Sequence, residues 1–502
     1  MNRFTTVVSA ISLLALLAAP SFADMTIRLK DGRSITLPIE PQDVESFDFG
    51  AGGAAPTTRG TFPSSPPLPS SPVMPASPGL RAATGSVAPI PGVSAPSLAP
   101  PVATPLATAA PSPMPNLGAQ PKTSGRVLHV GSSRDYKTIH AAADATKDGD
   151  TIEIDAGNYI GDTAIWKSDN LVIRGVNGRA HLDADGESAG GKGIWVTAGK
   201  NIRIENIEFS GAKVGDGNGA GIRAEGANLT LFNCYFHDNQ EGILAADNPD
   251  SDIVIDSSAF VKNGTQSGQV HGIYINHIRT LFVRGSVFQG TSIGHHIKTR
   301  ADTDYILYNR ILDFADGTAS YSVDMSNGGR GFIIGNVIEK GAKADNFTFI
   351  AMAMEGPSNS KQELYVVGNT MVLDRSSGVF IHSRSPGTII AAGNIFSGPG
   401  AVLQGNGRLI NNIIAGGSAD NPDGNGGGGN KIVRDAGFVD TSKFDYHLKL
   451  GSPAIGAGVD PGVMAGFKLM PEYQNAYPLG VEPRPAMNPP DAGAYRFINA
   501  AR

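Results

Sequence analysis

The chain has a single cysteine, Cys234, in 502 residues. No intramolecular disulfide is open to it, so a protein of this length must be held by its own core. Cys234 lies in the run Phe232-Asn233-Cys234-Tyr235-Phe236 and reads as a small buried side chain rather than a nucleophile. Charge is scarce too: charged residues make up 17% of the chain, the formal net charge is −6, and Lys and Arg are scattered. That excludes a basic face for nucleic acid. Long apolar runs are missing beyond the first 23 residues, so no later segment is expected to span a membrane. The one such run, 7–19, follows Asn2-Arg3 and precedes Ser21-Phe22-Ala23, the pattern of an export signal over 1–23. It is short for a membrane span, and Asp24 rather than a cysteine follows it, which disfavours a lipoprotein anchor. The expectation is an exported monomer, periplasmic or extracellular.

Glycine, by contrast, is plentiful: 64 residues, nearly twice the usual share of about 7%. It signals many tight turns. Residues 24–49 alternate polar and apolar around Asp31-Gly32, a two-residue hairpin signal, and form a small β-hairpin segment. Residues 50–124 are rich in Pro, Ala, Ser and Thr with almost no charge, which predicts a disordered linker. The folded domain is expected over 125–502. It starts with a helical apolar pattern at 135–147 (Tyr136, Ile139, Ala142, Ala143), which would cap the first rung's open edge.

A repeat then sets in. Short β-branched strands and turns recur around Asn206, Asn233, Ser257, Gly285, Asn309, Asn336, Asn369 and Asn394, a period of roughly 24 to 33 residues that means a solenoid. No later unit has a helical pattern, which separates a β-solenoid from leucine-rich or helical arrays. An Asn at such a turn tolerates the left-handed conformation and can hydrogen-bond from rung to rung. The runs 444–448 and 452–458 are expected to close the far end.

Three strands carry the polar residues of interest: His-Gly-Ile-Tyr-Ile-Asn from 271, His-His-Ile-Lys-Thr-Arg from 295 and Tyr-Ser-Val-Asp-Met-Ser from 321. Aligned on Ile273, Ile297 and Val323, they stack Tyr274, Lys298 and Asp324 in one column and Asn276, Arg300 and Ser326 in the next. Side chains two apart share a face, so both columns point the same way. An outward Lys on a solenoid wall is usually solvated, and a Lys–Asp rung pair is often only a cross-strand charge pair. The convergence of Tyr274, His271, His295, His296 and Arg300 on Lys298 is what points to chemistry.

The motif 136–142 with Gly149-Asp150-Thr151-Ile152, the Asn-bearing rungs and the 452–458 terminus resemble the right-handed parallel β-helix of the pectate-lyase-like superfamily. The resemblance covers the chain from Arg126 onward. It implies an all-β right-handed parallel β-helix solenoid with an N-terminal capping helix. Within it, 294–300 leading to Asn309 is similar to the strand of β-helix alginate and dermatan lyases that carries a lysine base, with an arginine partner on the next rung. Arg330, displaced toward the turn, or Arg300 would fill that place.

The chemistry implied is β-elimination from a uronate-containing glycan. A proton beside a carboxylate is weakly acidic, and nearby cations stabilise the charge that develops on its removal. Like charge from Arg300 is expected to lower the Lys298 pKa toward neutrality. Tyr274 would protonate the leaving oxygen, with His271 and Asp324 completing the catalytic set. His295, His296, Asn276, Asn327, Arg330 and Glu355 would contact substrate. The connections 263–270, 313–320 and 340–346 would wall a groove. Acidic turns at Asp247, Asp250 and Asp252, and at Asp216 with Asn218, offer oxygen ligands of the kind calcium takes, but such turns are more often solvated, and no metal or other cofactor is expected. Alternatives on the same fold are a non-catalytic glycan-binding solenoid, a glycoside hydrolase using Asp324 and Glu355, and a uronate epimerase.

Overall fold

The structure is a computed structural model that describes residues 25–28, 34–37, 121–264, 270–417 and 426–498. The expected leader, the linker as far as residue 120 and most of the 263–270 connection lie outside the described residues. Met25–Arg28 pairs antiparallel with Ser34–Leu37, with Ile27 opposite Ile35.

From Val127 the chain winds as a parallel β-helix with three faces. The first is a sheet of ten strands, running from Ala164–Trp166 to Gly400–Gln404 with every neighbour one coil apart. The second runs from Lys200–Glu205 to Gly407–Ile410, and the third from Ile207–Ser210 to Lys431–Val433. These two are joined through the long strand Val172–Asp183, which pairs with the first strand of each. Successive rungs of such a coil lie about 4.8 Å apart.

Alternation explains the core. On the first face Ile243, Ile273, Ile297, Val323, Ile350 and Ile381 stand in register and point inward. Phe209, Phe236, Phe260 and Phe288 stack from rung to rung with ring centroids 4.9, 4.8 and 4.6 Å apart. Each such pair contributes about 0.5–1.5 kcal/mol beyond its buried area. The helix is Ile139–Ala145, shorter than the 135–147 expected, with the Thr138 hydroxyl accepting from Ala141 N–H at 3.2 Å. Its Ile139, Ala142 and Ala143 join the core alongside Leu128 and Ile152, so it does cover the first rung.

The recurring turn divides into two positions that the repeat pattern had merged. Asn206, Asn233 and Ser257 have φ of 58°, 51° and 48°, and Gly285, Gly335, Gly368 and Gly393 take the same left-handed place. One residue later stands a buried ladder. Asn309, Asn336, Asn369, Asn394 and Asn412 each donate from Nδ2 to the next amide's Oδ1, at 2.8–3.0 Å. Ser258 and Ser286 continue it toward the N-terminus through their hydroxyls, and Cys234 stands above them, fully buried. Burial raises that thiol to about 11, so it is no nucleophile.

The C-terminal segment does not close the far end, as had been expected. It lies along the side of the coil. Phe438, Tyr446, Leu448, Ala454 and Tyr495 pack on Leu312, Val337, Val372 and Ile413 of the third face. Leu469, with Phe467 and Val481, packs on Phe282, Phe332 and Tyr365 of the second. The reason is apolar area: those outward columns would otherwise face water. Neither cluster holds a residue of the first face. No helix among the described residues is long and apolar enough to cross a membrane.

Candidate functional site

The register on the first face is the one the sequence predicts: Tyr274 opposite Lys298, and Lys298 opposite Asp324. The strands Ile273–Ile275, Ile297–Thr299 and Val323–Met325 are only three residues each. Their outward residues therefore stand between two corners of the coil and are held by both.

Lys298 is the hub, with 9% of its surface exposed. Its Nζ lies 2.6 Å from Glu355 Oε1 and 3.8 Å from Asp324 Oδ2. Arg300 reaches the other oxygen of Glu355 at 2.5 Å. It also donates to Asn327 Oδ1 at 2.6 Å and to the Tyr274 hydroxyl at 3.2 Å. The Tyr274 ring lies 5.4 Å from the Lys298 ammonium and 5.7 Å from the Arg300 guanidinium. Glu355 is thus clasped by two cations. It follows Ala353, a buried residue in the left-handed region at φ 60°, and its own N–H donates to Ser326 O at 3.0 Å. That turn aims the carboxylate back over the wall. Burial pushes the Glu355 pKa up, but Lys298 and Arg300 outweigh this and leave it below the usual range.

Asp324 is the opposite case. It is 2% exposed, Ser326 donates to its Oδ2 at 2.7 Å, and its Oδ1 has no hydrogen-bond partner among the described residues. Burial dominates and raises its carboxyl to about 6, against the pull of Lys298. Two carboxylates beside one ammonium thus carry shifts of opposite sign.

The histidines form a ladder behind this layer. His271, His295 and Tyr321 stack at 4.7 and 4.8 Å. The His271 Nδ1 accepts the His295 N–H at 2.9 Å, and the His295 Nδ1 accepts the Tyr321 N–H at 3.1 Å. Each Nδ1 is an acceptor, so the proton of the neutral ring sits on Nε2. Burial drives the His271 pKa down to about 3 and holds His295 well below its usual value. Under His271 lies Glu241, fully buried, accepting the His271 N–H at 2.9 Å; burial keeps its carboxyl well above the usual range.

Three expected site residues are displaced by the structure. His271, 2% exposed, is tied into the backbone through its Nδ1 and stacks on His295 rather than standing on the outer wall. His296 is fully buried, between Thr291 at 2.9 Å and Asp313 at 2.6 Å, so it has no surface to offer a substrate. Its parity with Lys298 suggested an outward side chain, but the chain turns a corner at 296 and parity does not survive the turn. Arg330 lies on the second face, paired with Glu363 at 2.7 Å, and is not a partner for Lys298. Arg300 is the arginine that shares a carboxylate, that of Glu355, with Lys298. His295 faces Asp324 at 3.5 Å from beneath, Asn327 holds Arg300, and Asn276, half-buried, donates to Ala245 O at 2.9 Å.

Residues outside the expected set join the wall. The column through Lys298 continues to Leu244 and Arg223 on one side and to Ala351 and His382 on the other. Extending the same register two rungs further would have found His382, and Arg384 two residues on. Tyr321 stands one rung on from His295, in the same place in its strand, and extends the ring stack. Glu241 carried no sequence signal. As for calcium, Asp252 is held by both arms of Arg279 at 2.9 and 2.6 Å, and Asp216 caps the Asn218 N–H at 3.0 Å.

A family model described as a right handed beta helix region matches residues 155–312. The chain is a right-handed parallel β-helix. A solved structure titled "Crystal structure of pectate lyase Pel9A" is similar at 15% identity, covering 76% of this chain and 97% of that one, with a TM-score of 0.44. No curated protein matches the chain.

Proposed function

We propose that the first face of this β-helix takes a stretch of acidic polysaccharide and cleaves it by β-elimination at Lys298 and Arg300. One observation carries the reading: Lys298 and Arg300 grip a single carboxylate, that of Glu355, one oxygen each. A uronate carboxylate fits the same grip, and Glu355, 40% exposed on a turn, is the group it would displace.

With the uronate carboxylate held by Arg300, Lys298 first gives up a proton to solvent and then, as the neutral amine, takes the proton from the carbon beside the carboxylate. The electron pair left behind forms a carbon–carbon double bond, and the glycosidic carbon–oxygen bond breaks on its far side. The leaving oxygen keeps that bond's pair and takes a proton from Tyr274, whose hydroxyl Arg300 already contacts. Arg300 stays on the carboxylate and stabilises the charge that builds there. Arg223 and His382, each three rungs from Lys298 in the same column, would meet sugars further along the chain, about 14 Å to either side. An export signal over 1–23 would deliver the protein to a compartment where such polymers occur.

The test is ultraviolet absorbance of unsaturated uronate products across alginate, pectate and glycosaminoglycans. A flat trace on every acidic polymer removes the proposal. The opposed shifts of Asp324 and Glu355 favour one rival, a glycoside hydrolase with Asp324 as acid and Glu355 as nucleophile. New reducing ends without unsaturated product would select it.

A further inference from the structure

On the third face, near the N-terminal end of the coil, His181, Glu208 and His237 converge from three successive rungs. Their ligand atoms all lie within 4.8 Å of one another. None belongs to the Lys298 wall, and the C-terminal segment packs on later rungs of this face. We propose that they form a binding site for a divalent first-row transition metal such as zinc.

The spacing fits. Ligand atoms about 2.1 Å from a tetrahedral metal stand about 3.4 Å from each other. Here Glu208 Oε1 is 3.2 Å from His237 Nε2 and 3.7 Å from His181 Nε2. The outer contacts of both rings free the right nitrogen. His237 Nδ1 lies 2.7 Å from Asp238 Oδ2, and His181 Nδ1 lies 3.3 Å from Asn158 Oδ1. An Nδ1–H donated outward in each leaves the Nε2 lone pair aimed inward at Glu208, the carboxylate–histidine–metal arrangement. Ser210 Oγ, 2.7 Å from His181 Nε2, is a further oxygen at the site. Two imidazoles with one carboxylate suit zinc, cobalt or nickel, and are poor ligands for calcium.

The side chains of His181, Glu208 and His237 are 27%, 17% and 20% exposed. An ion therefore has access from solvent and keeps an open position, while being joined to three coils at once. Without metal, the same groups are held as a histidine–carboxylate cluster, with Arg179 adding positive field at Glu208. The ion has to displace that arrangement.

The experiment uses the full chain without a histidine tag, stripped with a chelator and titrated with Zn²⁺ by calorimetry. One ion per chain is expected, weakened at least about tenfold by His181→Ala, His237→Ala and the near-isosteric Glu208→Gln, and by about 10–100-fold in Asp238→Asn. Co²⁺ bound to the wild type should give visible ligand-field bands, a readout needing no variant. No saturable zinc binding, no change in the cobalt spectrum, or equal affinity in wild type and Glu208→Gln would each overturn the site.

Discussion

At the rungs of Lys298 the coil carries two outward columns that are built alike and end up differently. On the second face Phe282, Tyr305, Phe332 and Tyr365 stack outward, and Phe467 of the C-terminal segment lies over Tyr305 and Phe332 with ring centroids 5.0 Å apart. On the first face the equivalent column reads Tyr274, Lys298, Asp324, and neither apolar cluster of the C-terminal segment includes it. The lesson concerns solvation. An aromatic column gains by acquiring an apolar cover, whereas a column of charges would lose hydration under one and is met instead by a counter-charge, the Glu355 carboxylate. One face is closed by apolar packing, and the other by an ion pair on a turn.

Substitutions on the two faces should therefore separate activity from stability. Lys298→Ala should lower the rate of unsaturated product by about 10²–10⁴-fold per folded molecule, a loss read separately from any fall in the thermal midpoint. A variant that keeps its rate ends the lyase reading. Phe332→Ala should do the reverse. It should cost about 3–5 kcal/mol in urea unfolding, with activity per folded molecule intact.

A subtler test is the pH dependence of Asp324, whose folded-state carboxyl is raised to about 6 by burial against an ordinary value of 3.8. Its protonated form stabilises the fold fully below the ordinary value, and that contribution is lost as pH rises through about 6. Wild type should therefore lose up to about 3 kcal/mol relative to Asp324→Asn between about pH 4 and pH 7. A gap that stays constant with pH contradicts the raised value. Smallest is Glu355→Gln, which weakens the internal competitor for the cation pair. It should lower KM for an acidic glycan by about 2–5-fold, as expected for removing one partly exposed carboxylate from its two cations. A raised KM would instead make Glu355 a substrate ligand.

How much of this was legible in the sequence varies with how local the determinant is. The alignment of Ile273, Ile297 and Val323 was readable because a two-residue period leaves one register that buries all three. The two turn positions were not separable, since Asn233 and Asn309 look alike in a repeat of variable length yet do different work one residue apart. Arg330 was misplaced because Gly328 and Gly329, at φ 74° and 112°, turn the chain onto another face before it. His271 and His296 failed on depth. Their residue type suggested chemistry, and only packing revealed that His296 has both ring nitrogens partnered inside and that His271 is tied to the backbone through Nδ1.

The sequence by itself determined the repeat, the β character and the column that holds Tyr274, Lys298 and Asp324, because those follow from periodicity along one chain. Only the tertiary structure decided that Glu355 lies in the grip of Lys298 and Arg300, that His181, Glu208 and His237 meet, and that the C-terminal segment lies along two faces. Those contacts join residues on different rungs or on opposite sides of turns of irregular length. Their geometry depends on how each loop folds back over the coil, and no pattern within a single strand encodes that.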